Sequence, residues 1–151
     1  MSGPELDRLR AYAAARGLTI GAPQSWTSER AVDGAAVRAA VWDEGYFTTG
    51  PTIPAALIAR CRDAIELVRS AGAPPLAAFV FDALWEVSTL LGDHATAAFG
   101  GPARLLPAFW AWRLEPDDAR GWDPHRDRGS PAIDDRGRPE AIATWIPWRS
   151  A

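Results

Sequence analysis

Apolar residues recur at helical spacing through the first two thirds of the chain and then change period. The clearest stretch opens at Pro54 and ends at Gly72, where Leu57, Ile58, Cys61, Ile65 and Val68 fall on one helical face. Upstream, Ser2 and Glu5 have capping-box spacing and Pro4 suits a first turn, which predicts a helix to about Arg16 with Leu6, Leu9 and Ala13 on one face, ended by Gly17. Residues 18–28 contain Gly21 and Pro23 and read as a loop. Asp33 is placed to cap a second helix through Val37, Ala40 and Val41, running to Glu44 and halted by Gly45. Tyr46, Phe47 and Thr48 are strand-prone and lead into a Gly50–Pro51 turn. Beyond Pro74 and Pro75, the positions Phe81, Leu84, Trp85, Ser88 and Leu91 mark another helical face, with Asp93 capping a further short turn to Phe99.

Past Gly100–Gly101–Pro102 the alternation shortens. Trp110, Trp112 and Leu114 alternate with Phe109, Ala111 and Arg113, the period-two pattern of a half-buried strand. Residues 128–139 are rich in Gly, Pro, Asp and Arg and read as an exposed loop. Residues 141–147 again alternate, with Ile142, Thr144 and Ile146 on one face and Ala143 and Trp145 on the other. The expected organisation is a single α+β domain over 1–151, helical to about residue 100 and β from about residue 104.

Composition narrows the function classes. With 151 residues, 48% of them hydrophobic, the chain can bury one ordinary core. Sixteen basic and 19 acidic residues, mixed along the chain to a net charge of −3, offer no basic stripe for nucleic acid. No apolar run approaches the roughly 20 residues a membrane span requires, and charged residues stand where a signal peptide needs an apolar region, so a cytoplasmic location is expected. The lone Cys61 cannot form an internal disulfide and reads as a packed thiol. Of the eight tryptophans, Trp110, Trp112, Trp122 and Trp145 lie near the one stretch with distinctive chemistry, where they could fill a core or line a site.

That stretch is Trp122–Asp123–Pro124–His125–Arg126–Asp127–Arg128. In an extended segment His125 and Asp127 project to the same side, so one imidazole and one carboxylate can chelate a single ion. They supply two of the three ligands of the 2-His-1-carboxylate arrangement that leaves open positions on Fe(II). Thiolate zinc sites and iron–sulfur clusters are excluded by the cysteine count. By itself His-x-Asp is a common pattern, and with Arg126 and Arg128 beside it the pair could merely form a solvated ion-pair cluster. His125–Arg126–Asp127 also matches the start of a kinase catalytic loop, but Ala132 stands where the required asparagine would be.

Taken with Gly45–Tyr46–Phe47, the long helix after Pro54 and Thr144–Trp145–Ile146–Pro147 downstream, the stretch resembles the phytanoyl-CoA dioxygenase-like family of Fe(II)- and 2-oxoglutarate-dependent oxygenases. The resemblance covers roughly residues 37–147 and implies a helical layer packed on part of a double-stranded β-helix, or jelly roll. It implies His125 and Asp127 as iron ligands, Trp145 and more weakly Thr144 at the 2-oxoglutarate pocket, and hydroxylation of an unidentified small molecule. For Trp145, a core-facing aromatic on a central strand is the alternative. Family members carry a further histidine and an arginine downstream. Here the other histidine, His94, lies upstream in a helix, so the expectation is the N-terminal portion of an oxygenase, completed by a missing C-terminal segment or a second chain. Two other readings stay open: a degenerate, non-catalytic remnant that binds no metal, and a small-molecule or protein-binding module in which His125 and Asp127 are surface polar residues.

Overall fold

Helix ends fall where the chain's caps and glycines put them. The structure, a computed structural model, describes residues 3–106, 110, 133–137 and 139–147. Helix α1 spans Gly3–Ala14, α2 Gly34–Asp43, α3 Ala55–Ser70 and α4 Asp82–Phe99, with a short 3-10 helix at Pro75–Val80. The Asp33 carboxylate accepts from Ala35 N and Ala36 N, satisfying two of the donors that the first turn of α2 leaves open. Gly17, Gly45, Gly72 and Gly100, each just beyond a helix, have φ between 69° and 81°, the left-handed conformation that ends a helix at little cost only for glycine. Pro54 provides no side-chain cap for α3; the Glu29 carboxylate accepts from Ala55 N instead, 3.3 Å away.

Helix α4 organises the rest, packing against α2, α3 and the 3-10 helix. Its N-terminal half contributes Ala83, Leu84, Val87 and Leu90 to the main core, where they meet Leu57, Cys61, Ala64, Ile65 and Val68 of α3, with Ala13, Leu18 and Phe81 alongside. Its C-terminal half places Ala98 against Val37 and Val41 of α2 in a smaller cluster. None of the described helices is long and apolar enough to cross a membrane.

Where α2 begins, it crosses α4 closely. A Cβ added at Gly34 would lie 2.8 Å from the carbonyl oxygen of Ala97 and 3.1 Å from its Cβ. Replacing a helical glycine by alanine ordinarily stabilises by up to about 1 kcal/mol. Gly34→Ala should instead cost about 1–3 kcal/mol, because neither backbone can withdraw without opening the second cluster. The urea unfolding midpoint reads the sign directly, and a stabilised variant would mean that the two helices do not meet at Ala97.

The β half of the expected α+β architecture is not found. Among the described residues there is no sheet, only an isolated antiparallel bridge between Ile133 and Pro139. Residues 46–48 and 141–147 are neither strand nor helix. The expected helical layer with part of a jelly roll is therefore corrected to an all-helical arrangement over the described residues. The physical reason is that β-branched and aromatic residues favour a strand only where a neighbour supplies the ladder and covers a face. Here Ile146 packs directly against the main core and Ile142 against the α2–α4 cluster, so helices do the covering. Most of the strand expected over residues 109–114 lies outside the described residues; Trp110 within it is 68% exposed.

Helix α4 also departs from expectation. It runs unbroken through Asp93, with no separate turn to Phe99. Its inward face is rotated: Trp85 is exposed and Leu91 half-buried, whereas Glu86 and Leu90 are buried.

Candidate functional site

The rotation of α4 turns Asp82, Glu86 and His94 toward the loop after α1; Asp82 and Glu86, four residues apart, lie one above the other, and His94 follows eight residues on, displaced around the helix. All three are buried, and all three meet the loop after α1. The Asp82 carboxylate accepts from Gly21 N and Ala22 N, both at 2.9 Å, and Asp82 N donates to Thr19 O. Glu86 Oε1 accepts from Gln24 N at 2.8 Å, while Oε2 accepts from Trp26 Nε1 at 2.8 Å and from Arg60 Nη1 at 2.6 Å. His94 Nε2 lies 3.2 Å from Ser28 Oγ. The loop is thus held to the helix along its length by side chains rather than by a sheet ladder.

Arg60 closes the arrangement from α3. Its guanidinium pairs with Glu86, donates to Thr19 Oγ1 at 3.0 Å and stands 5.9 Å from the centre of the Trp26 ring. The Glu86 side chain is fully buried and that of Arg60 is 15% exposed, so the pair is desolvated but fully hydrogen-bonded on the carboxylate side. No buried side-chain nitrogen or oxygen among the described residues lacks a partner. A surface cleft of about 400 Å³ lies between the loop and α4, beside Trp26, Trp85, Thr89 and Leu90. Both Glu86 oxygens are already committed, so the carboxylate at its edge is placed to hold the loop rather than to take a proton from a ligand.

Burial pushes the His94 imidazole below its ordinary pKa of 6.5, with Asp93 opposing the shift. An unfolded chain takes up a proton near 6.5, whereas the folded chain does so only at lower pH. The stabilisation is therefore complete above about pH 6.5 and declines as pH falls from there toward the folded-state value. His94→Gln should flatten that part of the stability profile when urea midpoints are compared between about pH 7.5 and pH 5. An unchanged slope would assign the pH dependence to another group.

Burial pushes the Cys61 thiol up to about 12, with nearby Arg60 lowering it and Glu86 raising it. Its Sγ donates to the Ala83 carbonyl at 3.2 Å. The packed-thiol reading of Cys61 accordingly holds.

His125 and Asp127 lie outside the described residues. Thr144 is exposed, and Trp145, at 66% exposed, does not occupy the core position that was its alternative reading. His94 is on α4, engaged with Ser28. Among the described residues no three His, Cys, Asp or Glu side chains gather into a metal-binding group. The row on α4 went unread in the sequence because Asp82 and Glu86 look like solvent-facing breaks in an apolar helix. A usable signal was the spacing of four and eight between Asp82, Glu86 and His94 opposite a loop whose backbone donors need acceptors. No family model, curated protein or solved structure matches this chain.

Proposed function

We propose that this chain belongs to an iron- and 2-oxoglutarate-dependent dioxygenase of the phytanoyl-CoA dioxygenase type, with His125 and Asp127 as its metal ligands. The observation that carries the reading is His125-x-Asp127 set between Trp122–Asp123–Pro124 and a downstream Thr144–Trp145–Ile146–Pro147. Supporting it is the helical order, with α2 ahead of Gly45–Tyr46–Phe47 and the long α3 opening directly after Pro54.

The donor set suits the ion. A neutral imidazole and a carboxylate are the nitrogen and oxygen donors that Fe(II) takes in such sites. The thiol and the imidazole that the structure describes are committed elsewhere, Cys61 as a buried protonated thiol bonded to Ala83 and His94 at Ser28. His125 would bind through one ring nitrogen and Asp127 through a carboxylate oxygen, and both must be deprotonated to do so, so affinity falls in acid. When bound, iron supplies the activation of O₂ that couples decarboxylation of 2-oxoglutarate to hydroxylation of a small molecule. The exposure of Thr144 and Trp145 leaves neither enclosed enough to be assigned to the co-substrate.

The test is an anaerobic Fe(II) titration of the chain with 2-oxoglutarate present, followed by a succinate assay on admitting O₂. Two protein ligands give weak binding, and His125→Ala should abolish it. Binding that is identical in wild type and His125→Ala moves the metal elsewhere and removes the proposal. Absence of any Fe(II) binding selects the metal-free remnant or binding module instead.

A further inference from the structure

The loop after α1 is fixed at two ends and lightly tied between them. At one end Asp82 grips Gly21 N and Ala22 N; at the other Glu29 N donates to Thr52 O at 2.8 Å. Among the described residues, residues 23–28 form no backbone–backbone hydrogen bond. They are held to α4 by Glu86, which takes Gln24 N and Trp26 Nε1, and by His94, which meets Ser28 Oγ. Pro23, Gln24, Ser25 and Thr27 are exposed, and the main core covers Trp26 only in part. A segment with so few ties opens at lower cost than the helices unfold.

His94 is the tie that acid changes. It is 8% exposed, and Ser28 is its hydrogen-bond partner among the described residues. The charged groups on the surrounding elements are engaged elsewhere. Beyond Ser28, Glu29 accepts from Ala55 N and the Arg30 guanidinium lies beside Gly50. On α2, Asp33 caps the first turn and Arg38 donates to Ala97 O and Ala98 O; on α3, Arg60 is paired with Glu86. Asp93, the neighbour of His94 on α4, favours the charged ring, and burial outweighs it. An imidazolium carries two N–H donors, and Ser28 supplies one acceptor. Withdrawing Ser28 lets water reach the ring, so protonation favours the open loop.

We propose that residues 23–28 form a strap that lifts from α4 in acid while the helices stay folded, with His94 as the trigger. Lifting widens the cleft of about 400 Å³ that the strap walls together with Thr89 and Leu90. The proposal is independent of the metal reading, since it uses neither His125 nor Asp127.

Hydrogen exchange of the full chain, resolved by NMR and corrected for the intrinsic pH dependence of exchange, tests it. The Gln24 amide and the Trp26 indole N–H should exchange at least about tenfold faster than the amides of Cys61 and Ile65 in α3, as opening without unfolding requires. Protection of the two strap groups should fall at least about threefold between about pH 7.5 and pH 5. The fall should begin near 6.5 and level off where the His94 ring itself titrates, which its Cε1–H resonance reports. His94→Gln keeps a hydrogen-bonding side chain but no titrating ring, and should remove the pH dependence. Equal protection in the strap and in α3 would mean that the loop comes free only when the chain unfolds, and overturns the proposal. So does the same acid-induced fall in His94→Gln. Should that variant fail to fold, the wild type still decides: strap protection that is flat with pH, or that does not follow the His94 titration, overturns the proposal as well.

Discussion

Glu86→Ala should destabilise the fold by about 3–5 kcal/mol, the range for removing one partner of a buried ion pair. Three donors lose their acceptor at once: Gln24 N, Trp26 Nε1 and the Arg60 guanidinium. The first two lie on exposed or half-buried residues, where water can replace the carboxylate. Arg60, at 15% side-chain exposure, cannot recover its hydration, and this unpaired cation dominates the loss. Removing both charges together should be far less harmful. The double variant Arg60→Met, Glu86→Leu leaves no buried cation, and its cost should fall well short of the sum of the two single costs. Urea unfolding of the four proteins closes the cycle. Additive losses would mean that the two side chains are not coupled in solution.

Phe81→Ala is expected to cost a similar amount, about 3–5 kcal/mol, through a different mechanism. Phe81 is among the largest fully buried side chains, 2% exposed, at the junction between the 3-10 helix and α4. Its own N–H donates to the Ala78 carbonyl, and the next residue ties back to Thr19, so the surrounding backbone is held at both ends. A cavity there cannot close by a local shift, which puts the loss toward the upper part of the range. The informative control is Trp85→Ala, four residues on. Trp85 is larger but 45% exposed, and its ring meets Phe79 edge-on at 5.9 Å while Nε1 donates to the Phe79 carbonyl. Truncating it should cost about 1–2 kcal/mol, the worth of one hydrogen bond and an aromatic contact. Equal losses at Phe81 and Trp85 would show that the inward face of α4 has been assigned wrongly.

That pair of aromatics marks the boundary of what periodicity can reveal. On α3 the expected residues Leu57, Cys61, Ile65 and Val68 are buried, and Ile58 at the edge of the stripe is half-buried, because a helix with one apolar side has one way to dry it. Helix α4 is apolar over most of its circumference, so its pattern contained no unique answer. The buried set became Leu84, Val87 and Leu90, and the polar row beside them turned toward the loop. The tryptophans were ambiguous for a related reason. A large apolar ring suits a core, but four of the five described, Trp42, Trp85, Trp110 and Trp145, are exposed, and Trp26 reaches the core only in part. The candidate metal pair, His125 and Asp127, was legible purely as spacing and residue chemistry.

What the amino-acid order determined by itself is local. Asp33 as a helix cap and glycines at 17, 45 and 72 as stops follow from one side chain or one backbone conformation acting within a few residues. What the tertiary structure alone decided is which surfaces meet. Whether residues 141–147 joined a sheet or lay across helices depended on a partner distant in sequence. Whether Glu86 faced water or Arg60 depended on a contact spanning 26 positions. Strand pairing and charge burial are both set by the groups opposite, and a linear pattern carries no information about which groups those will be.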